Sequence, residues 1–182
     1  LSLMKTDLYV YQKATADDIY DRMSNTNQRG AYLGFDTGTG KTVTSLSVAE
    51  KLYKNHMIKG VVVICPVSKV DDWKRDLEYE VPEIEMKFVS SFQSAWREKN
   101  KAKIEYVCKM VDALVIVDEG HKIKTYDSKQ SKFIQALRET YKPYMLVLSA
   151  TPQNKKYLDL YPQYKALGHP LFNIKPKDFK QR

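Results

Sequence analysis

Only two of the 182 residues are cysteine, and that scarcity is informative. Cys65 and Cys108 lie far apart, without the short paired spacing of a metal knuckle and too few for a disulfide framework. Cys65 ends the aliphatic run Val61-Val62-Val63-Ile64 and is expected as a small buried hydrophobe. Such usage suits a reducing compartment. No apolar run approaches the ~20 residues that a membrane-spanning helix needs, so no membrane partner is expected. The opening Leu1-Ser2-Leu3-Met4-Lys5 is too short and too polar for a signal peptide. Because it starts on Leu rather than Met, the chain reads as a piece of a longer protein. No internal repeat or low-complexity segment is present. Acidic residues are also in deficit, with 22 Asp plus Glu against 30 Lys plus Arg, a formal charge of +8. An excess of this kind favours polyanionic partners through phosphate neutralisation and counterion release, although many basic domains bind none.

What remains is ordinary globular material, 43% hydrophobic and 29% charged, with length for one well-cored domain. Short β-branched or aliphatic runs predict strands at Ala31–Phe35, Val61–Cys65, Met86–Val89, Ala113–Val117 and Met145–Leu148. Helical spacing lies around and between them. Leu8–Met23 carries Tyr11, Thr15, Ile19 and Arg22 at helical intervals, and Thr42–Tyr53 is apolar over a broad face. Val70–Tyr79 places Trp73 four residues before Leu77, and Lys103–Met110 and Ser131–Thr140 complete the set. Alternating strands and helices imply an α/β fold, a mostly parallel sheet with helices on both faces. One domain is expected over residues 1–172. Residues 173–182, with Lys175, Pro176, Lys177 and Lys180, read as a basic linker or tail.

In such sheets ligands gather at the carboxyl ends of the strands. After the strand ending near Phe35 comes Asp36-Thr37-Gly38-Thr39-Gly40-Lys41-Thr42, followed by a helix. Glycines let successive N–H groups turn inward toward phosphate oxygens, and the helix adds the positive end of its dipole. Thr37, Gly38, Thr39, Gly40, Lys41 and Thr42 therefore form a candidate nucleotide cradle. Lys41 would reach the β- and γ-phosphates, and the Thr42 hydroxyl would ligate Mg²⁺. Phe35 occupies the first glycine position of the usual pattern, and Gly34 sits one place early. A second buried run, Ala113–Val117, delivers Asp118-Glu119-Gly120-His121. A carboxylate at that strand end suits Mg²⁺ held opposite Thr42, and Glu119 is placed to orient and deprotonate an attacking water.

With these residues assembled, the chain resembles the superfamily 2 helicases and translocases, nearest their Swi/Snf-like branch. Asp118-Glu119-Gly120-His121-Lys122-Ile123-Lys124 resembles that branch's D-E-G-H-R-x-K-N, with Thr125 in place of the asparagine. Ser149-Ala150-Thr151-Pro152-Gln153-Asn154 resembles the S/T-A/G-T-P-x-Q-N coupling motif with one residue fewer. Cys65-Pro66-Val67-Ser68 followed by Trp73 is similar to the P-x-S…W segment along the nucleic-acid track. Tyr11-Gln12 is similar to the adenine-reading Y-Q, although Tyr9-Val10 stands where Arg-Pro is usual. The resemblance spans residues 8–172 and keeps the motifs in family order.

It implies the N-terminal RecA-like lobe of an ATPase that uses ATP and Mg²⁺. Lys41, Asp118, Glu119 and His121 would be catalytic, and Gln12 would face adenine. His121 would link Glu119 to the coupling residues Ser149 and Thr151. Ser68, Lys69, Ser90, Ser91 and Gln93 follow strand ends and would hold nucleic-acid phosphates by hydroxyl, amide and charge. Lys122, Lys124, Lys129 and Lys132 form a basic stretch, which a solvated helix face explains equally well. The implied partners are double-stranded DNA and a second RecA-like lobe that supplies arginine fingers. The expected setting is the cytoplasm of a prokaryotic or phage-infected cell, or a eukaryotic nucleus. A DEAD/DEAH-type strand-separating helicase, a non-catalytic binding module and a small-molecule kinase are the competing readings.

Overall fold

A computed structural model describes residues 2–35, 40–120 and 129–150. Within them the chain runs as helix α1 (Val10–Asn25), strand β1 (Gly30–Phe35), α2 (Lys41–Lys54) and β2 (Gly60–Cys65). It continues through a 3-10 turn (Val67–Lys69), α3 (Val70–Glu80), β3 (Met86–Ser91), α4 (Phe92–Ala95) and α5 (Glu98–Met110). It then forms β4 (Ala113–Val117), α6 (Lys129–Tyr141) and β5 (Tyr144–Ala150). All pairings are parallel, in the order β1-β5-β4-β2-β3. Each expected strand is present, at most two residues longer at either end. The four-residue α4 has no counterpart in the sequence pattern, being too short to show periodicity.

Two of the Val- and Ile-rich runs become the most enclosed strands. β2 and β4 are buried at every position, as strands covered on both faces must be. Side chains alternate between two cores. Val61, Val63, Leu114, Ile116, Leu146 and Leu148 face α1, α2 and α3, where Ile19, Leu46, Leu52, Trp73 and Leu77 meet them. Val62, Ile64, Val115, Val117, Met145 and Val147 face the opposite layer, packed by Phe92, Ile104, Phe133, Ile134 and Leu137. The chain moves outward from β2 to β3 through a helix on one face. It returns to β4 and β5 through helices on the other, as right-handed crossovers require.

Helix α1 differs from its sequence reading by a rotation. Of Tyr11, Thr15, Ile19 and Arg22, only Ile19 is buried; the buried stripe is Gln12, Ala16, Ile19 and Met23. A stripe carrying the small Ala16 brings α1 close to α2 and turns the Gln12 amide inward. The entry to α1 is fixed by two acids that sequence periodicity does not reveal. Ser2 Oγ and Leu3 N donate to buried Glu50 of α2, at 2.7 and 2.8 Å. Lys5 N, Thr6 N and Thr6 Oγ1 donate to buried Glu80 of α3. Carboxylates saturated by such donors are tolerated in an interior, whereas bare ones are not.

On the exposed side of α6, Lys129 lies over the Trp96 ring and Lys132 faces solvent, a solvated helix face. Lys122, Lys124 and residues 151–182, including the expected tail, lie outside the described residues. No helix among the described residues is long and apolar enough to cross a membrane.

Candidate functional site

Gly40 is the N-cap of α2 and has φ of 87°, the left-handed region that glycine enters without strain. A Cβ at this position would fall 1.7 Å from Gln12 Nε2, so the Gln12 side chain lies flat against the end of the phosphate loop. Gln12 is 3% exposed, and its Oε1 accepts the Tyr9 N–H at 2.8 Å. The acceptor end of the amide therefore fixes the start of α1 while the donor end touches Gly40. Lys41 and Thr42 follow on the first turn of α2, both half-buried. Burial lowers the Lys41 pKa, with Lys69 adding to the fall and Asp118 and Glu119 opposing it. Thus Lys41 stands in the field of both acids.

Those acids sit at the end of β4, on the other side of β5 from the phosphate loop. The Asp118 N–H donates to Ile64 O at 2.8 Å, extending the ladder with β2. The Asp118 carboxylate is 4% exposed, and it accepts from Trp73 Nε1 at 2.9 Å and from Glu119 N at 2.8 Å. Glu119 has φ of 51°, a left-handed conformation that costs a non-glycine residue roughly 1–2 kcal/mol. The bond from its N–H to the neighbouring carboxylate holds it there. Gly120 closes the turn against β5, where an added Cβ would meet Val147 Cγ1 at 2.4 Å. In β5, Ser149 is fully buried opposite Gly34 of β1. Burial raises the Tyr32 pKa, and the nearby Ser149 side chain opposes the rise. The Ser149 strand lies beside the Asp118 strand.

The expected backbone-binding residues divide. Ser68 and Gln93 are exposed. Ser90 and Ser91 are buried and bonded within the fold: Ser90 Oγ accepts from Asn100 Nδ2, and Ser91 Oγ caps α4 by accepting Ser94 N. Lys69 turns toward the acids, with Nζ 3.0 Å from Glu119 Oε1 and 3.7 Å from Asp118 Oδ2. Burial alone would lower its pKa; the hydrogen bond to Glu119 and the charges of both acids raise it overall. Sequence reasoning did not foresee Lys69 and Trp73 at the acids, although a signal existed. They stand four apart at the start of α3, hence on one side of it, and a buried indole N–H needs an acceptor. Thr37, Gly38, Thr39, His121 and Thr151 lie outside the described residues.

The donor chemistry suits Mg²⁺ arriving with a nucleotide. Hard oxygens are on offer from Asp118 and Thr42, and Mg²⁺ typically takes one or two such groups plus phosphates and waters. Among the described residues no group of three or more His, Cys, Asp or Glu forms a self-sufficient metal cage.

Residues 5–154 match the family model described as the type III restriction enzyme res subunit. The chain belongs to this family. Its fold is that of the SWI2/SNF2 ATPase cores, and its relatives include ATP-dependent helicases and SNF2-type proteins. An uncharacterized ATP-dependent helicase of Bacillus subtilis, YqhH, is 29% identical over 158 residues, covering 80% of this chain and 27% of its own length. The transcription regulatory protein SNF2 of Saccharomyces cerevisiae is 26% identical over 169 residues, covering 81% of this chain and 10% of its own. The Sulfolobus solfataricus SWI2/SNF2 ATPase core in complex with dsDNA superposes with a TM-score of 0.74 at 22% identity. That match covers 98% of this chain and 39% of that one. The chain thus spans about a quarter of the length of its Bacillus relative and less of the yeast one.

Proposed function

We propose that the chain is the first ATPase lobe of a DNA translocase or helicase, binding Mg-ATP and the phosphate backbone of duplex DNA. The observation that carries this reading is that Lys41, at the N-terminus of α2, stands in the electrostatic field of Asp118 and Glu119 at the end of β4. Lys41 and the backbone amides around Gly40 would neutralise the terminal phosphates. Asp118 and Thr42 would hold Mg²⁺, which supplies charge neutralisation at the phosphoryl group when bound. Glu119 would take the proton of the attacking water, and the Gln12 amide would face adenine. His121 would pass the state of this site to Ser149 and Thr151, as the family resemblance implies. The backbone contacts would come from Ser68, Lys69 and Gln93, with Ser90 and Ser91 shaping the loop that presents them.

Support for the duplex-DNA branch over the DEAD type comes from Gly120. The packing of Val147 against it leaves no room for the alanine of D-E-A-D. Hydrolysis would be slow in this lobe alone, because arginine fingers from a second lobe supply a rate factor of roughly several orders of magnitude. Calorimetry with Mg-ATP tests the reading. Lys41→Ala should weaken binding by about 10- to 100-fold, the worth of a hydrogen bond to a charged group. Asp118→Asn should remove the Mg²⁺ dependence. Binding unchanged by Lys41→Ala would overturn the assignment.

A further inference from the structure

At the ends of β2 and β4 the two acids are ion-paired with Lys69, and with Lys41 in their field the four charges sum to zero without any ligand. Asp118 and Glu119 supply two negative charges, and Lys41 and Lys69 two positive ones. Lys41 has an assigned task at the phosphates. Lys69, assigned above to a nucleic-acid phosphate, instead holds its ammonium against the acids, 3.0 Å from Glu119.

We propose that Lys69 is an exchangeable counter-ion of the acid pair: Mg-nucleotide displaces it from Asp118 and Glu119, and the freed ammonium then binds a nucleic-acid phosphate at the rim of the site.

The proposal rests on the Mg-ATP reading above and adds a partner-coupling role to it. Three observations support it. A dication arriving beside Asp118 meets Lys69 Nζ 3.7 Å from the same carboxylate oxygen that the Trp73 indole also touches. Like charges at that range repel, and only the lysine has somewhere to go. Its side chain is 42% exposed, so its ion pairs are screened by water and weak, whereas Trp73 is fully enclosed and neutral. Trp73 is the fixed donor that keeps Asp118 oriented while Lys69 leaves. Lys69 also closes the exposed turn Val67–Lys69 after β2, and exposed Ser68 stands beside it with a hydroxyl for the same phosphate. No hydrogen bond of the turn uses the Lys69 side chain: its backbone N–H already bonds Pro66 O at 2.9 Å.

Such an exchange makes two ligands help each other, and linkage requires the help to be equal in both directions. Mg²⁺ should therefore tighten DNA only when nucleotide is present, and DNA should tighten Mg-nucleotide by the same factor.

The test uses this chain, a fluorescent non-hydrolysable ATP analogue, MgCl₂ and a short mixed-sequence DNA duplex, and it reads binding alone. In the unaltered chain Mg-nucleotide should tighten the duplex by about 5- to 10-fold, within the usual range of coupling between sites. Lys69→Met should bring that factor close to one. It should also lower the Mg²⁺ concentration needed for nucleotide binding, because the acids have lost their competitor. A lysine that merely supported the fold would raise that concentration when removed. Lys69→Arg should keep the coupling, and Lys74→Met, an exposed lysine on α3, should leave the coupling factor unchanged while trimming DNA affinity. Coupling that survives in a folded Lys69→Met chain, or a Mg²⁺ requirement that stays put or rises, overturns the proposal alone. Failure of the unaltered chain to bind Mg-nucleotide overturns the ATP reading beneath it as well.

Discussion

Gln12 and Gly40 show how one contact ties the start of α1 to the start of α2. Gly40 needs its hydrogen twice, once for a φ of 87° and once for the amide lying against its Cα. Gly40→Ala should therefore lose roughly 1–2 kcal/mol from backbone strain and a further part from the displaced Gln12. In a Gln12→Ala background only the strain should remain, so urea denaturation of the double-mutant cycle should give a coupling above about 0.5 kcal/mol. Strictly additive losses would show that the two residues do not press on each other. The motif was legible in sequence, because glycine before Lys-Thr at a strand-to-helix junction has a phosphate-binding logic. The orientation of Gln12 was not. The periodicity through Tyr11, Thr15 and Arg22 shares Ile19 with the true buried stripe, and only tertiary packing distinguishes the two faces. Lys69 was read as a phosphate ligand from its position after a strand. Its turn toward Glu119 depends on a residue 50 positions away, which no local pattern encodes.

At the level of elements, the turn after β4 is keyed to β5 by the close packing of Val147 against Gly120. Adding a methyl group there forces it against Val147 Cγ1, a stiff β-branched side chain in a buried strand. Gly120→Ala should destabilise the chain by about 1–3 kcal/mol, the usual cost of overpacking. Val147→Ala opens the space, so the second substitution should then cost much less, with denaturant midpoints as the readout. Equal costs in both backgrounds would mean that the turn yields rather than the strand. The strands themselves were the most legible part of the fold. Val61–Cys65 and Ala113–Val117 have the composition of strands enclosed on both sides, and they occupy the most enclosed places in the sheet. Helix starts were less so: α5 begins at Glu98 rather than Lys103, because Glu98-Lys99-Asn100-Lys101 is a polar first turn with little apolar rhythm. The tethering of the amino-terminal segment by Glu50 and Glu80 left no trace in the sequence, since two glutamates on polar-looking helices resemble solvated surface.

For the whole molecule, the two cysteines are built-in reporters. Cys65 belongs to the core under α1, α2 and α3, and Cys108 to the core on the other face of the sheet. Burial pushes each thiol from 9.0 up to about 12, with Asp118 and Glu119 adding at Cys65 and Glu105 at Cys108. The folded chain thus holds these protons more tightly than the unfolded one. The associated stability is complete below about pH 9 and is lost as pH climbs toward 12. Denaturant midpoints should fall over this window, and less steeply in a Cys65→Ala, Cys108→Ala chain. An identical alkaline decline with both cysteines removed would assign the effect to other groups. At neutral pH, both thiols should resist alkylation equally if the two layers open together. The sheet order gives a reason to expect that they do. β1 and β4 do not pair with each other; each pairs with β5, the last of the described strands, some 110 residues after β1. On a ribosome the phosphate loop and the acid pair would both have emerged before anything joined them. Until Tyr144–Ala150 enters between β1 and β4, each of those strands has an unpaired edge toward the other, and one strand fills both.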